Sequence, residues 1–276
     1  MDKLIITVAP TGSVPSKKDT PYLPVIPDEI AETAYRCEQE GASIIHVHCR
    51  DENGNPTSDF DLFDETVRKI RRRTKLLVMV STSGVAGKSN EERAEPLRTR
   101  PELASLSTGS LNFTARKPPV VYTNSWETIT FLARRMKELG VRPELEAFDL
   151  GFIRQGVILI QEGLVPSPAL FQLVMGVGGG IPATIGNLLH MRAQLPPEVK
   201  FTVAGIGKSQ LDMTTMSILM GGHVRVGLED NIYFSKGVLA PNEDFVSRIR
   251  RIAESLNREV ASPDDARALL GIGSLR

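Results

Sequence analysis

The sequence is poor in the features that mark several protein classes. It has two cysteines, Cys37 and Cys49, which excludes a disulfide framework and fits a reducing, cytoplasmic compartment. Basic and acidic residues both number 33, so the formal charge is zero. A nucleic-acid binder would need a basic surplus to neutralise phosphates. No apolar run approaches the roughly 20 residues that span a bilayer. The opening, Met1-Asp2-Lys3 and a short apolar run to Val8, is too short and wrongly flanked for a signal peptide. Low-complexity segments and tandem repeats are missing as well. Histidine is scarce, with 4 in all.

What is present is an ordinary globular composition, 41% hydrophobic and 24% charged. The length of 276 residues suits one large α/β domain, 1–276, better than two small ones. Compact apolar runs predict strands at 4–8, 43–48, 76–80, 103–107, 144–148, 169–175, 201–204 and 223–226. Helices are expected at 27–40, 61–73, 91–97, 125–139, up to 161, up to 194, and at 210–220. A long one follows around Phe245, Ile249, Ile252 and Leu256. Pro27 with Asp28 and Glu29 opens the first helix, and Gly41 stops it. Phe63, Val67 and Ile70 share one face of the second. Its last turn, Arg71-Arg72-Arg73, reads as a solvated helix end. Ser262 caps a short C-terminal helical extension. Strand and helix alternate about eight times, which predicts an α/β fold of the (β/α)8 or TIM barrel type. An open doubly wound sheet is the alternative. Neither glycine-rich turn fits its dinucleotide fingerprint, since Ile181 and Gln210 stand where the third glycine belongs. Gly207-Lys208-Ser209 is no P-loop either, because the opening glycine would fall on Thr202.

The stretch with the clearest chemistry is Ile44-Ile45-His46-Val47-His48-Cys49-Arg50. Side chains alternate along a strand, so His46 and His48 point one way, about 7 Å apart. Such a pair can grip one metal ion. Two half-buried histidines with ordinary hydrogen bonds are the plainer reading. In a barrel the site gathers at the C-terminal strand ends. Those ends carry His46 and His48, then Ser81 and Thr82, then Thr108, Ser110 and Asn112, then Glu146, and finally Arg225, Glu229 and Asp230. Glu229 is the natural third ligand. Two histidines and a carboxylate with an open position suit catalytic zinc, and non-haem iron uses the same types. Asp230, beside a metal and a guanidinium, has the makings of a general base. A salt bridge between Arg225 and Asp230 that closes the barrel end is the structural alternative. His223, near the start of its strand, reads as structural, and His190 lies mid-helix without a partner. The turns around Gly178, Gly179 and Gly180 and around Gly205, Gly207 and Gln210 lead into helices. Their amides suit phosphate, as of a nucleotide-tailed thioester, or they are tight turns only.

Several segments in order resemble the β-keto acid cleavage enzymes. They are Ala9 to Gly12, Pro24 to Ile30, Ile44 to Arg50, Ser81 to Gly84, Ala104 to Phe113, and Pro143 to Asp149. The most specific is Gly221-Gly222-His223-Val224-Arg225-Val226-Gly227-Leu228-Glu229-Asp230-Asn231, and 257–270 also matches. The resemblance covers almost the whole chain. It implies a (β/α)8 barrel, usually a homotetramer, with one zinc ion per chain held by His46, His48 and Glu229. The implied reaction turns a β-keto acid and acetyl-CoA into acetoacetate and a new acyl-CoA. Asp230, positioned by Arg225 and Ser81, would remove the proton. The substrate would meet Thr82, Thr108, Ser110, Asn112 and Glu146, and CoA the two glycine-rich turns. One departure bears on specificity. The family member that takes an ammonium-bearing keto acid has a glutamate after Thr-Gly-Ala, where this chain has Ser13 and Val14. A keto acid without the amine is therefore expected. A metal hydrolase on a similar barrel, or a non-catalytic CoA- or metal-binding protein, are the competing readings. Hydrolase sites of this kind recruit further histidines or a lysine, and His190 and His223 are poorly placed for that.

Overall fold

Eight parallel strands close into a barrel in simple chain order. They are β1 (Ile6–Val8), β2 (Ile44–Val47), β3 (Leu77–Val80), β4 (Leu103–Ser107), β5 (Arg142–Ala147), β6 (Leu170–Met175), β7 (Lys200–Gly205) and β8 (His223–Val226). The structure, a computed structural model, describes residues 1–83, 87–114 and 119–273; Gly84 of the expected turn after β3 lies outside them. Val8 pairs with Ile45 of β2 on one side and with Val226 of β8 on the other, which closes the ring. Helices follow the strands in turn: α1 (Pro27–Gln39), α2 (Phe60–Arg73), α3 (Asn90–Ala94), α4 (Trp126–Leu139), α5 (Leu150–Gln161), α6 (Ile185–Gln194), α7 (Gln210–Leu219) and α8 (Asn242–Ser255). The expected (β/α)8 barrel is the fold observed. Among the described residues no helix is long and apolar enough to cross a membrane.

Local chemistry sets the helix ends. The Asp59 carboxylate accepts from Leu62 N at the start of α2, and Phe63, Thr66, Val67 and Ile70 form its buried face. Gly41, at φ 107°, lets the chain leave α1 and enter β2. The arginine run at the end of α2 is solvated as expected, with Arg72 and Arg73 exposed and Arg71 partly so, and two of its members still find partners. Arg71 donates to Arg100 O at 2.8 Å and Arg73 to Glu32 at 2.7 Å.

The apolar core has two layers. The larger lies between strands and helices. The smaller fills the lower half of the barrel with Ile5, Ile44, Leu77, Met79, Leu103 and Leu170. It is capped by Ala266 of α9 (Pro263–Leu269), the expected extension, and by Leu270 just after it; the Ser262 hydroxyl at the start of α9 accepts from Asp265 N. The upper half of the interior is polar, and that is where the site sits.

Three short antiparallel ribbons were not legible in the sequence. They pair Cys49–Arg50 with Pro56–Thr57, Leu111–Phe113 with Val120–Tyr122, and Tyr233–Ser235 with Val238–Leu239. Each decorates the barrel mouth after a strand end. Asn112, expected at the end of β4, lies in the second of them. β5 also begins two residues before the expected start at Glu144, with Pro143 near its start opposite Ala104.

Glu102, with a side chain only 2% exposed, ties α9 to the barrel floor. It accepts from Arg267 at 3.0 Å, Arg71 at 3.3 Å and Val78 N at 3.1 Å. Removing it strands an inward-facing cation and a buried amide. Glu102→Ala is expected to lower global stability by about 3 kcal/mol, read as a lower urea midpoint at unchanged slope.

Candidate metal centre and active site

His46 lies in β2 with its side chain inside the barrel, and β2 ends one residue later at Val47. His48 follows just beyond the strand, yet the two rings still share a side. Their centroids are 5.0 Å apart, edge to face. Glu229 comes from the turn after β8. Its Oε2 is 3.8 Å from His46 Nε2 and its Oε1 is 3.6 Å from His48 Nε2. Gly227, at φ 138°, packs against the carbonyl of Ala9 so closely that a side chain would collide. This turn brings Glu229 back over the barrel, where its amide donates to Ala9 O at 3.1 Å.

The three side chains can each offer a ligand atom, all within 4.8 Å of one another. Burial, aided by the Arg225 cation, lowers the His48 pKa to about 3 and holds that of His46 well below its usual value. Both imidazoles are thus neutral, the form that ligates. His46 Nδ1 and Glu229 Oε2 are buried without a hydrogen-bond partner. Neutral imidazoles, a carboxylate and unsatisfied donor atoms fit a divalent cation.

Arg225, buried in β8, is the hub beside this triad. Its Nε and Nη2 donate to both Asp230 oxygens at 2.9 and 2.7 Å, and Nη2 also reaches Glu229 Oε1 at 2.5 Å. Its Nη1 lies 3.7 Å from Glu146. Burial lowers the Arg225 pKa, but Asp230 and Glu229 outweigh it and hold that pKa well above normal. The acids are in surplus. Burial lifts Asp230 above the carboxylate range despite Arg225. Glu146 is pushed up to about 7 by burial and by Glu229, against the pull of Arg225 and the Ser107 hydroxyl. Glu144, two residues earlier on the same face, rises to about 8 by burial, with Gln172 Nε2 donating to it at 2.6 Å. The expected Arg225–Asp230 salt bridge does form, and it forms inside the site rather than instead of it.

The other sequence candidates divide into groups. Glu146 is in the site, accepting from Ser107 Oγ at 3.0 Å. The Ser81 hydroxyl pairs with Ser83 Oγ at 2.7 Å, and among the described residues no hydrogen bond joins it to Asp230. Thr82 Oγ1 donates to Ser105 O and Thr108 Oγ1 to Glu146 O and Phe152 O, so both hydroxyls stitch walls together. Ser110 and Asn112 are exposed at the mouth. Gly178 O accepts from Thr114 N, Gly179 packs on Asn112 O, and the Gly180 amide donates to Val177 O. Gly205 packs on Ser209, the Gly207 amide donates to Asp230 O at 2.8 Å, and Gln210 Nε2 to Gly227 O. The second turn therefore braces the loop that carries Asp230. His223 accepts from Ile5 N at 3.1 Å, as a structural histidine does. Sequence reading missed Ser107, Glu144 and Gln172. Ser107 is the last residue of β4, next to the candidates that follow it, whereas Glu144 and Gln172 each lie three residues before the C-terminal end of their strands, and Glu144-x-Glu146 shows the same alternation as the histidine pair.

A family model for the beta-keto acid cleavage enzyme matches residues 3–272. The chain belongs to this family. It is 38% identical over 274 residues to the 3-keto-5-aminohexanoate cleavage enzyme of Fusobacterium nucleatum, covering 99% of both chains. It is 39% identical over 276 residues to the 3-oxoadipate:acetyl-CoA acetyltransferase of Cupriavidus necator, covering 98% of this chain and 95% of that one. Among solved structures, a ternary complex of ObcA with C4-CoA adduct and oxalate superposes with a TM-score of 0.76 at 21% identity. It covers 91% of this chain and 68% of that chain, and it shows the shared fold. Family relatives are thus named as acetyl-CoA-dependent enzymes of β-keto acid cleavage and transfer.

Glu144 gives the site a measurable pH signature. A carboxyl whose folded pKa is raised stabilises the fold at low pH and loses that contribution as pH rises through the folded value. The buried histidines oppose this only below their unfolded pKa of about 6.5. Between pH 6.5 and 8 the metal-free protein is therefore expected to lose stability as pH rises. Glu144→Gln should flatten that fall, measured by denaturant unfolding across the window. A wild-type profile that rises with pH there would contradict the assignment.

Proposed function

We propose that this chain is a zinc-dependent acyltransferase that converts a β-keto acid and acetyl-CoA into acetoacetate and a new acyl-CoA. One observation carries the reading: a carboxylate locked by a buried guanidinium, Asp230 on Arg225, stands next to a His46–His48–Glu229 triad fit for a dication. His46, His48 and Glu229 would hold the zinc. Zinc bound there supplies charge that lowers the cost of an enolate beside a carboxylate.

The chain's own groups account for the proton. Asp230 is the base that takes it from the carbon between the keto and carboxylate groups. Its raised pKa makes it a stronger base than an exposed aspartate, and Arg225 holds both oxygens in place. The resulting carbanion attacks the acetyl thioester. CoA then passes to the other acyl group, and a retro-Claisen step releases acetoacetate. The polar upper barrel supplies the pocket. Glu146 forms its inner wall, with Ser110 and Asn112 at the mouth and Ser81, Thr82 and Thr108 behind. The turns with Gly178 to Gly180 and Gly205 to Gln210, above β6 and β7, are the proposed rim for CoA.

The substrate proposed is a β-keto acid without an amine. Val14, 67% exposed on the loop after β1, stands where a carboxylate would be needed to pair with an ammonium group.

Metal-loaded protein with acetyl-CoA and a panel of β-keto acids is expected to yield acetoacetate and a new acyl-CoA together. Asp230→Asn should cut kcat/KM by about 10³ or more, and His46→Ala should abolish turnover along with zinc retention. No cleavage of any keto acid while one zinc stays bound per chain would defeat the activity but leave the metal site. Hydrolase substrates would then be tried. Separately, 3-keto-5-aminohexanoate should be a poorer substrate than unsubstituted keto acids. A several-fold preference for it would overturn the role given to Val14.

A further inference from the structure

The triad has a support that its ligands alone do not explain. Arg50, two residues after His48, is 7% exposed and points across the barrel mouth. Its Nη2 donates to Gly12 O at 2.7 Å, to Pro15 O at 2.7 Å and to Thr11 O at 3.4 Å, while Nη1 reaches Gly54 O at 3.1 Å. One guanidinium thus gathers the carbonyls of the loop after β1. Two more bonds fix that loop: Thr11 Oγ1 donates to Pro24 O at 3.0 Å, and Asn242 Nδ2 to Pro10 O at 3.3 Å.

The held loop lies against a metal ligand. Gly12 has φ 60°, and a Cβ there would collide with Cγ of Glu229 and stand 2.8 Å from its Cβ. The Gly12 backbone is therefore flat against the Glu229 side chain. Glu229 needs a wall on that side. Arg225 Nη2 already draws its Oε1, and a carboxylate on a surface turn is free to rotate about its own side-chain bonds. With Gly12 packed against its Cβ and Cγ, the Glu229 side chain has no room to move on that side.

We propose that Arg50 is a positioning residue for the Glu229 carboxylate, acting through the backbone of Gly12. The inference rests on the metal reading above and adds to it a specific outer support. Outer partners of metal ligands commonly matter 10- to 100-fold in affinity. The same clamp fixes the position of Val14 on the loop.

The test is zinc affinity by chelator competition, with thermal unfolding of metal-free and zinc-loaded protein, for wild type, Arg50→Ala, Arg50→Lys and Gly12→Ala. Arg50→Ala and Gly12→Ala are expected to bind zinc about 10- to 100-fold more weakly. The gain in melting temperature on adding zinc should shrink in step. Arg50→Lys should recover part of the loss, because an ammonium keeps the charge but not the fork. Gly12→Ala tests the contact without touching Arg50, and Arg50→Lys serves if Arg50→Ala does not fold. If melting falls equally with and without zinc while affinity stays within about twofold of wild type, Arg50 only supports the loop and the inference is overturned. If wild type itself holds no zinc, the metal reading and this inference fall together.

Discussion

Arg225 carries one positive charge into a closed barrel and meets the carboxylates of Asp230, Glu229 and Glu146 there. Water cannot screen these charges well, so their balance governs what the upper barrel can hold. One guanidinium does not neutralise three acids. The remainder is met partly by protonation, as the high pKa values of Glu146 and Glu144 show, and partly by whatever cation the triad accepts. Asp230, the proposed base, and Glu229, a proposed metal ligand, are adjacent in sequence and share the same arginine. A change at either one is felt by the other through Nη2. Effects of substitutions in this group should therefore not add.

The barrel was legible because alternating strand and helix signals repeat eight times, and because glycines and caps mark most boundaries. The clustering of His46, His48 and Glu229 was legible for a different reason. Histidine is rare here, so two of the four at strand spacing are conspicuous, and a carboxylate just past the last strand lies where it can meet them. The part that stayed hidden has a physical cause in each case. Glu144 and Gln172 lie where a barrel strand is expected to be apolar, and they are polar because the layer above the apolar plug is lined by charge. The three ribbons are two or three residues long per strand, too short for any period to register. Ser81 gave no sign that its hydroxyl turns to Ser83. Arg50 is invisible for another reason: its partners are carbonyl oxygens, which every residue has, so no pattern of side chains announces the contact.

The two tiers of the barrel interior divide the work. Below, Ile44, Leu77, Leu103 and Leu170 pack on Ala266 and Leu270, and the floor is sealed with Glu102 and Arg267. Above, the barrel turns to His46 of β2, Ser107 of β4, Glu146 of β5 and Arg225 of β8. The rigid apolar tier fixes the strand register, and register decides which side chains face the centre two residues further on. Precision at the His46–His48–Glu229 cluster is thus inherited from packing that never touches it.

The ring closes at β1 and β8, and Leu4 bridges to Val260 beyond them. The residues that meet at this seam are therefore far apart along the chain. During synthesis the middle strands can form as they appear, yet His46 and His48 must wait for Glu229 and Arg225 of the last strand and its turn before the cluster can assemble. A chain cut ahead of β8 would carry the two histidines without the carboxylate that meets them.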